Sequence, residues 1–126
     1  MRGLNRLMLV GHLGRDPELR TSAEHEVSWC TFSLATGRSR KEGGRWIEAT
    51  DWHRVKAFGT QAELCHRYLS KGDLVAVEGS IVYDQWTDKN GVRRTTAVVM
   101  ADRVTFLSKA ASRERQAEEG GIAQAK

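Results

Sequence analysis

Three aromatic residues in one segment carry the clearest chemical signal in this sequence. Trp46, Trp52 and Phe58 share a strand parity with Arg54 and Lys56 in the segment WIEATDWHRVKAF. Aromatic rings stack on bases and cations neutralise phosphates, so a strand face that combines the two is suited to a single-stranded nucleic acid. Packing inside a sheet or at a subunit interface is the alternative for Trp46 and Trp52.

A fourth candidate, Trp86, lies between polar residues in the segment DQWTDKNG, where a role in a core is disfavoured. The chain has 20 Lys+Arg against 16 Asp+Glu, a formal net charge of +4, which favours a polyanionic partner without establishing one. Much of this excess lies between positions 38 and 56. Candidates there for contacting phosphates are Arg38, Arg40, Arg54 and Lys56.

Sequence patterns of catalysis and metal binding are missing. The histidines, His12, His25, His53 and His66, have no spacing typical of zinc ligands. No Gly-rich phosphate loop is followed by Lys and Ser/Thr, and no nucleophile elbow is present. We therefore expect no enzyme activity, no metal and no cofactor.

The length of 126 residues fits one domain with a modest core. We expect a domain over residues 1–108 and a short flexible tail over 109–126. No apolar run approaches the ~18 residues of a membrane-spanning helix, and no signal peptide is recognisable. Cys30 and Cys65 are therefore expected to be reduced and buried, in a cytoplasmic protein without a membrane partner.

Five segments have the apolar-rich or alternating pattern of β-strands. They are residues 4–13, 26–38, 46–58, 74–83 and 92–107. In the second of them Cys30, Phe32 and Leu34 are predicted to be the most buried residues. In the first, Gly11 is predicted to be a bulge or a close-packing point.

The connections between these segments complete the prediction. GRDPEL is predicted as a turn, SRKEGGR as a hairpin loop, and DQWTDKNG as a hairpin turn with Asn90-Gly91 at its tip. Thr60 and Glu63 predict a capping box at the start of a short helix that stops at Gly72. Three strands, one short helix and two strands predict an all-β, five-stranded OB-fold barrel with long hairpin loops.

The sequence also resembles a known family over residues 2–107. The blocks LMLVGHLGRDPELR, FSLAT, TDWHRVKAFG, AELCHRYLSKGDLVAVEGSI and WTDKNGVRRT, in this order and spacing, are similar to the bacterial single-stranded DNA-binding protein family. The resemblance implies an OB-fold protomer in a homotetramer that binds and protects single-stranded DNA, independently of sequence, in replication, recombination and repair. It implies no catalysis and no metal, and a cytoplasmic, nucleoid-associated location.

The resemblance also implies residue roles by position. Trp52, Phe58 and Trp86 match base-stacking aromatic residues of the family. The basic positions that contact the DNA backbone are matched by Arg2, Arg54 and Lys71. His53 matches a position associated with subunit assembly.

Several positions depart from the family pattern. Arg40 stands where many relatives have a stacking Trp, and Trp46 is a candidate replacement. Asp84-Gln85 stand where relatives usually have basic residues, and Thr60 where they often have Lys. We expect the same binding mode with a shifted affinity or site size.

The last residues, EEGGIAQAK, lack the acidic tip with Pro-Phe through which the family recruits replication and repair proteins. This departure motivates an alternative function, a primosome-type OB protein that acts mainly through protein contacts and binds DNA weakly. An RNA-binding OB domain of the cold-shock type is a further alternative.

Overall fold

A computed structural model describes residues 2–24 and 26–110 of the chain. The elements are β1 (Leu7–Leu13), β2 (Glu18–Ser22), β3 (Val27–Glu42), β4 (Arg45–Phe58), α1 (Gly59–Tyr68), β5 (Leu74–Thr87) and β6 (Arg93–Ser108). The strand order is β1-β5-β6-β4-β3-β2, and β1 also pairs with β3, so five strands close into a ring. This arrangement, with the short helix α1 between β4 and β5, confirms the predicted all-β OB-fold class.

Strand β2 is an additional sixth strand, and it lies outside the ring. It pairs antiparallel with β3 from Glu18↔Thr31 to Ser22↔Val27. The sequence predicts a turn over GRDPEL, and this prediction is wrong beyond Pro17. The segment ELRTS has a single apolar residue, Leu19, so no alternation indicates the strand, and pairing with the long β3 determines its conformation.

The two hairpins project as paired strands rather than as the predicted long loops. β3 continues to Glu42 and β4 begins at Arg45, which leaves only Gly43 and Gly44 in the turn. Their φ angles of 58° and 81° are typical of a type I′ turn, whose twist matches that of the flanking strands. The segment SRKEGGR is therefore mostly strand.

The second hairpin has its turn close to the predicted position. β5 continues to Thr87, so Trp86 lies in a strand and not in the turn. The carboxylate of Asp88 accepts hydrogen bonds from the backbone N–H groups of Asn90 and Val92, both at 2.9 Å. Gly91, with φ of 78°, allows the chain to reverse there.

Helix α1 begins without the predicted capping box. Phe58, the last residue of β4, occupies the N-cap, and no side chain caps the helix. Because the helix follows the strand directly at Gly59, Thr60 lies within the first turn and cannot serve as N-cap. The helix ends at Tyr68, before the predicted stop at Gly72, whose backbone N–H instead donates to the Leu13 carbonyl at 2.8 Å.

The hydrophobic core fills the interior of the ring and the space below α1. Cys30, Phe32 and Leu34 are buried, as predicted, together with Val55, Ala62, Cys65, Val75, Val77 and Val99. Both cysteines are free. Burial raises the pKa of Cys30 to about 11 and, with a contribution from Cys30, the pKa of Cys65 to about 12, so both thiols stay protonated at neutral pH.

Gly11 is a close-packing point, as predicted, at the place where the ring closes. It pairs with Val75 on β5, and a Cβ atom at this position would collide with the backbone carbonyl of Ala35 on β3. Gly79 on β5 faces the carbonyl of Met100 on β6 in the same way, next to a shift of register. Two backbones can approach this closely only where the side chain is absent.

Asp73 holds the end of β6 against the loop between α1 and β5. Its carboxylate accepts hydrogen bonds from the backbone N–H of Ser70 at 2.9 Å and of Ala110 at 2.8 Å, and from Lys109 Nζ at 2.8 Å. Burial alone would raise the pKa of Asp73, but these hydrogen bonds and the Lys109 charge lower it below the ordinary carboxyl value. Asp73 is therefore ionised at neutral pH.

Two further predictions from the sequence concern a membrane-spanning helix and the C-terminal tail. In the described part of the chain, no helix combines the length and apolar character that crossing a membrane requires. The proposed tail begins at residue 109, and its residues 111–126 lie outside the described part.

We predict that Gly11→Ala destabilises the protein by about 1–3 kcal/mol, because the new methyl group must displace the β3 backbone. Thermal unfolding at fixed protein concentration measures the effect. Gly37→Ala is the matched control, since nothing lies within 4 Å of a Cβ atom there. Equal stability of the two variants would contradict this account of ring closure.

We predict that Asp73→Asn lowers the free energy of unfolding at pH 7 by about 1.5–3 kcal/mol, because hydrogen bonds to a buried charge are lost. The native pKa of Asp73 is depressed, so its stabilisation is present above the ordinary carboxyl pKa and is lost as the pH falls through the native pKa. Urea unfolding at several pH values should show the difference from the parent protein shrinking in acid. A difference that is constant with pH would argue against an ionised Asp73.

Candidate nucleic-acid interface

Alternation along β4 places its predicted aromatic and basic residues on one face. Trp52, Arg54, Lys56 and Phe58 alternate along β4 with residues that point into the ring. Of the latter, Val55 and Ala57 are fully buried. The alternation that the sequence predicts for this strand is therefore confirmed.

The rings on this face are open to solvent. Trp46 is 70% exposed, Trp52 61% and Phe58 42%. Trp46 and Trp52 are therefore not packed in the core of the single chain. A subunit interface remains the alternative to base stacking for these two residues. Exposed aromatic side chains of this size offer flat apolar surfaces to a partner.

Trp86 joins the same face through β6. Arg54 on β4 pairs with Val98 on β6, and Val98 pairs in turn with Val82 on β5. Two further steps of two residues along β5 lead from Val82 to Trp86, which is 50% exposed. Its indole N–H donates to Thr96 Oγ1 on β6 at 2.9 Å, which fixes the plane of the ring. We call these six residues the aromatic-cationic face: Trp46, Trp52, Arg54, Lys56, Phe58 and Trp86.

Two adjoining grooves run beside Arg54. The first, of about 300 Å³, is lined by Trp52, Arg54, Arg15 and Glu18 among others. The second, of about 370 Å³, is lined by Glu18, Arg20, Trp29, Thr31, Arg54, Lys56, Asp84 and Val98. A ligand that follows the aromatic-cationic face would meet both grooves.

The basic candidates differ in their charge partners. Arg38 Nε lies 2.8 Å from Asp51 Oδ2, and Arg40 Nη2 lies 3.3 Å from Glu42 Oε2. Among residues 2–24 and 26–110, no carboxylate lies within ion-pair distance of Arg54 or Lys56. Both cations of the aromatic-cationic face are therefore available to an anionic ligand.

Five of the predicted residues lie outside the aromatic-cationic face. Arg38 and Arg40 on β3 pair with Ala49 and Ile47 on β4, so both arginines project to the opposite side of the β3–β4 hairpin. The other three are Arg2, Lys71 and His53. Arg2 is exposed and precedes β1, and Lys71 is exposed in the loop after α1, where its backbone N–H donates to Asp16 at 2.8 Å. His53 has the opposite parity on β4, and its Nε2 lies 2.8 Å from Thr36 Oγ1. The structure thus brings together only part of the predicted set.

Comparison with known proteins identifies the family of this chain. Residues 4–107 match the model of the Single-strand binding protein family. The chain belongs to this family. The resemblance noted from the sequence blocks is confirmed over nearly the same residues.

Curated relatives of the single-strand binding family show the same extent of similarity. The chain is 41% identical over 107 residues to a single-stranded DNA-binding protein of Xylella fastidiosa (84% of this chain, 65% of that protein). It is 43% identical over 104 residues to single-stranded DNA-binding protein 1 of Chlorobaculum tepidum (80% and 64%). The chain therefore spans slightly less than two thirds of the length of these two relatives.

A solved structure has the same fold. It is described as the Plasmodium falciparum SSB complex with ssDNA, and it superposes with a TM-score of 0.78 at 27% sequence identity. The match covers 86% of this chain and 98% of that chain. The fold of this chain is therefore similar to almost the whole of that chain.

Sequence reasoning missed three side chains that line the grooves of this family member, namely Arg15, Arg20 and Trp29. Trp29 shares the parity of Thr31 and opposes that of the buried Cys30, which is the signal that could have identified it. Arg20 gave no such signal, because its position depends on the pairing of β2. In the described part of the chain, no cluster of His, Cys, Asp or Glu could hold a metal ion.

Proposed function

We propose that this protein binds single-stranded DNA independently of base sequence and protects it during replication, recombination and repair. The observation that carries the proposal is the aromatic-cationic face, with exposed rings at Trp52, Phe58 and Trp86 beside the cations Arg54 and Lys56. The structural neighbour described as a complex with ssDNA supports it. The proposed activity is binding without catalysis or cofactor, in the cytoplasm and at the nucleoid.

The physical basis of this binding is stacking combined with charge neutralisation. Bases would stack on Trp52, Phe58 and Trp86, with Trp46 as a further ring on the β3–β4 hairpin. Each stack contributes roughly 1–3 kcal/mol and accepts every base, because every base has a π-face. Backbone phosphates would be contacted by Arg54 and Lys56, and further along the strand by Arg2, Arg38, Arg40 and Lys71.

The first test is a titration of the intrinsic tryptophan fluorescence with oligo-dT of increasing length at two salt concentrations. We predict strong quenching that saturates at a fixed number of nucleotides. Affinity should fall with salt, with a slope of log K against log salt of roughly −0.7 for each phosphate neutralised. Absence of saturable binding at low salt would overturn the proposed function.

Single substitutions test the stacking itself. We predict that Trp52→Ala and Trp86→Ala each weaken binding of labelled oligo-dT by roughly 1–3 kcal/mol, measured by fluorescence anisotropy. Tyr83→Ala is the matched control, because Tyr83 is 63% exposed on the same strand as Trp86 but has the opposite parity. Unchanged affinity in both Trp variants would remove stacking from the mechanism.

We also propose that four copies of the chain assemble into a homotetramer. Leu4, Met8 and Val10, on and before β1, are 88%, 63% and 52% exposed, and an exposed apolar patch of this kind marks an interaction surface. His53, held by Thr36, is proposed to contribute to a subunit contact.

Analytical ultracentrifugation tests this assembly. We predict a mass four times that of the chain for the parent protein, and a smaller species for the Met8→Lys/Val10→Lys double variant, because two charges would have to be buried at the contact. Val92→Lys is the control, since Val92 is exposed near the hairpin tip. A monomeric parent protein would contradict the proposal.

A second candidate function rests on one observation. Asp84 lines the same groove as Arg54 and Lys56, and its negative charge opposes phosphate binding there. This favours a primosome-type OB protein that binds DNA weakly and acts mainly through contacts with replication and repair proteins. A tight stoichiometric complex with oligo-dT at physiological salt would count against it.

A further inference from the structure

Of the four tryptophans in the sequence, only Trp29 has no role in the proposed binding mode. It lies on β3 directly opposite Phe58 on β4. On its other side it lies directly opposite Arg20 on β2. Residues that face each other in antiparallel strands project to the same side of a sheet, so Trp29, Phe58 and Arg20 share the outer side.

Packing does not account for this ring. The core takes the opposite parity of β3, where Cys30, Phe32 and Leu34 are buried. Trp29 is only partly buried, and it is neither in the core cluster nor among the partly buried side chains packed against it. Trp29 therefore lies on the outer side of β3, where its ring adds an apolar surface outside the core.

The surroundings of Trp29 fit a nucleotide. The ring lines the groove of about 370 Å³ together with Arg20, Arg54 and Lys56. Glu18 and Asp84 also line this groove, and Glu18 Oε2 lies 3.6 Å from Arg20 Nη2 in an exposed pair of little net stability, which a phosphate can replace. The cleft therefore keeps a small positive charge for phosphates beside a flat surface for a base. Side chains directly opposite each other in antiparallel strands have Cβ atoms about 5 Å apart, so bases on Phe58 and Trp29 would be neighbours along the strand.

We propose that Trp29 contacts a base and Arg20 a phosphate, which extends the DNA-binding surface from β4 across β3 to β2. This inference rests on the proposed function and adds a second path beside the aromatic-cationic face. It gives β2, which lies outside the ring, a role in binding. DNA would leave Phe58 toward Arg20 at the edge of the sheet.

A variant with a single tryptophan tests the contact directly. Trp46→Phe, Trp52→Phe and Trp86→Phe together leave Trp29 as the only tryptophan and keep an aromatic ring at each substituted position. Binding is first established by the anisotropy of labelled oligo-dT, which does not depend on tryptophan. The emission of Trp29 is then recorded along the same titration.

The outcomes separate the two proposals. Quenching of Trp29 that follows the anisotropy curve supports a base contact. A bound oligonucleotide with unchanged Trp29 emission overturns the inference and leaves the proposed function intact. Failure of both the parent protein and the triple variant to bind labelled oligo-dT would overturn the proposed function itself.

Affinity measurements complete the test. Trp29→Val removes the ring but introduces a β-branched residue that favours a strand, and it should weaken binding about tenfold, whereas Trp29→Phe should retain most of the affinity. Arg20→Ala should reduce the salt slope by roughly 0.7, the value for one phosphate contact, and Arg67→Ala on α1 serves as the control. A Trp29→Val variant that unfolds at the parent temperature but binds as tightly as the parent would also overturn the inference.

Discussion

The antiparallel pairing of β3 with β4 is the constraint on which both the core and the candidate site depend. It runs without a break from Trp29↔Phe58 to the two-glycine turn. Because side chains alternate strictly along a strand, a slip of one residue would bring Arg54 and Lys56 into the core and expose Val55. Burying two unpaired cations is far more costly than burying Val55, so the core fixes the register and the register fixes the site.

Ring closure determines where the second hairpin lies. The contact between β4 and β6 is short, from Arg54↔Val98 to Lys56↔Met100, and cannot by itself orient a long hairpin. The close approaches at Gly11 and Gly79 bring β1, β5 and β6 round to β4, and Trp86 follows from that position. The position of Trp86, a proposed base-stacking residue on β5, thus depends on glycines elsewhere in the ring.

These dependencies explain which features the sequence alone could predict. The burial of Phe32 and the exposed parity of Trp52 follow from local alternation, which a single strand displays. Two other features depend on neighbouring elements. The polar segment of β2 is a strand because it pairs with β3, and the capping box does not form because β4 leads directly into α1 at Gly59. Arg20 could not be predicted, because only the pairing of β2 brings it beside Trp29. The polar strands of the first hairpin extend beyond the core and so lack the apolar face that reveals a strand.

The balance of charges indicates how much stacking and electrostatic attraction would each contribute to binding at the candidate surface. Its second groove holds Arg20, Arg54 and Lys56 but also Glu18 and Asp84, so the net charge there is small. The ion pairs of Arg38 and Arg40 on the hairpin are exposed, and exposed pairs are worth about 0–1 kcal/mol. A phosphate can therefore displace their carboxylates at little cost, and these arginines remain available. Since the carboxylates offset part of the electrostatic attraction, stacking on the aromatic rings would supply the larger share of the affinity and retain it as salt rises.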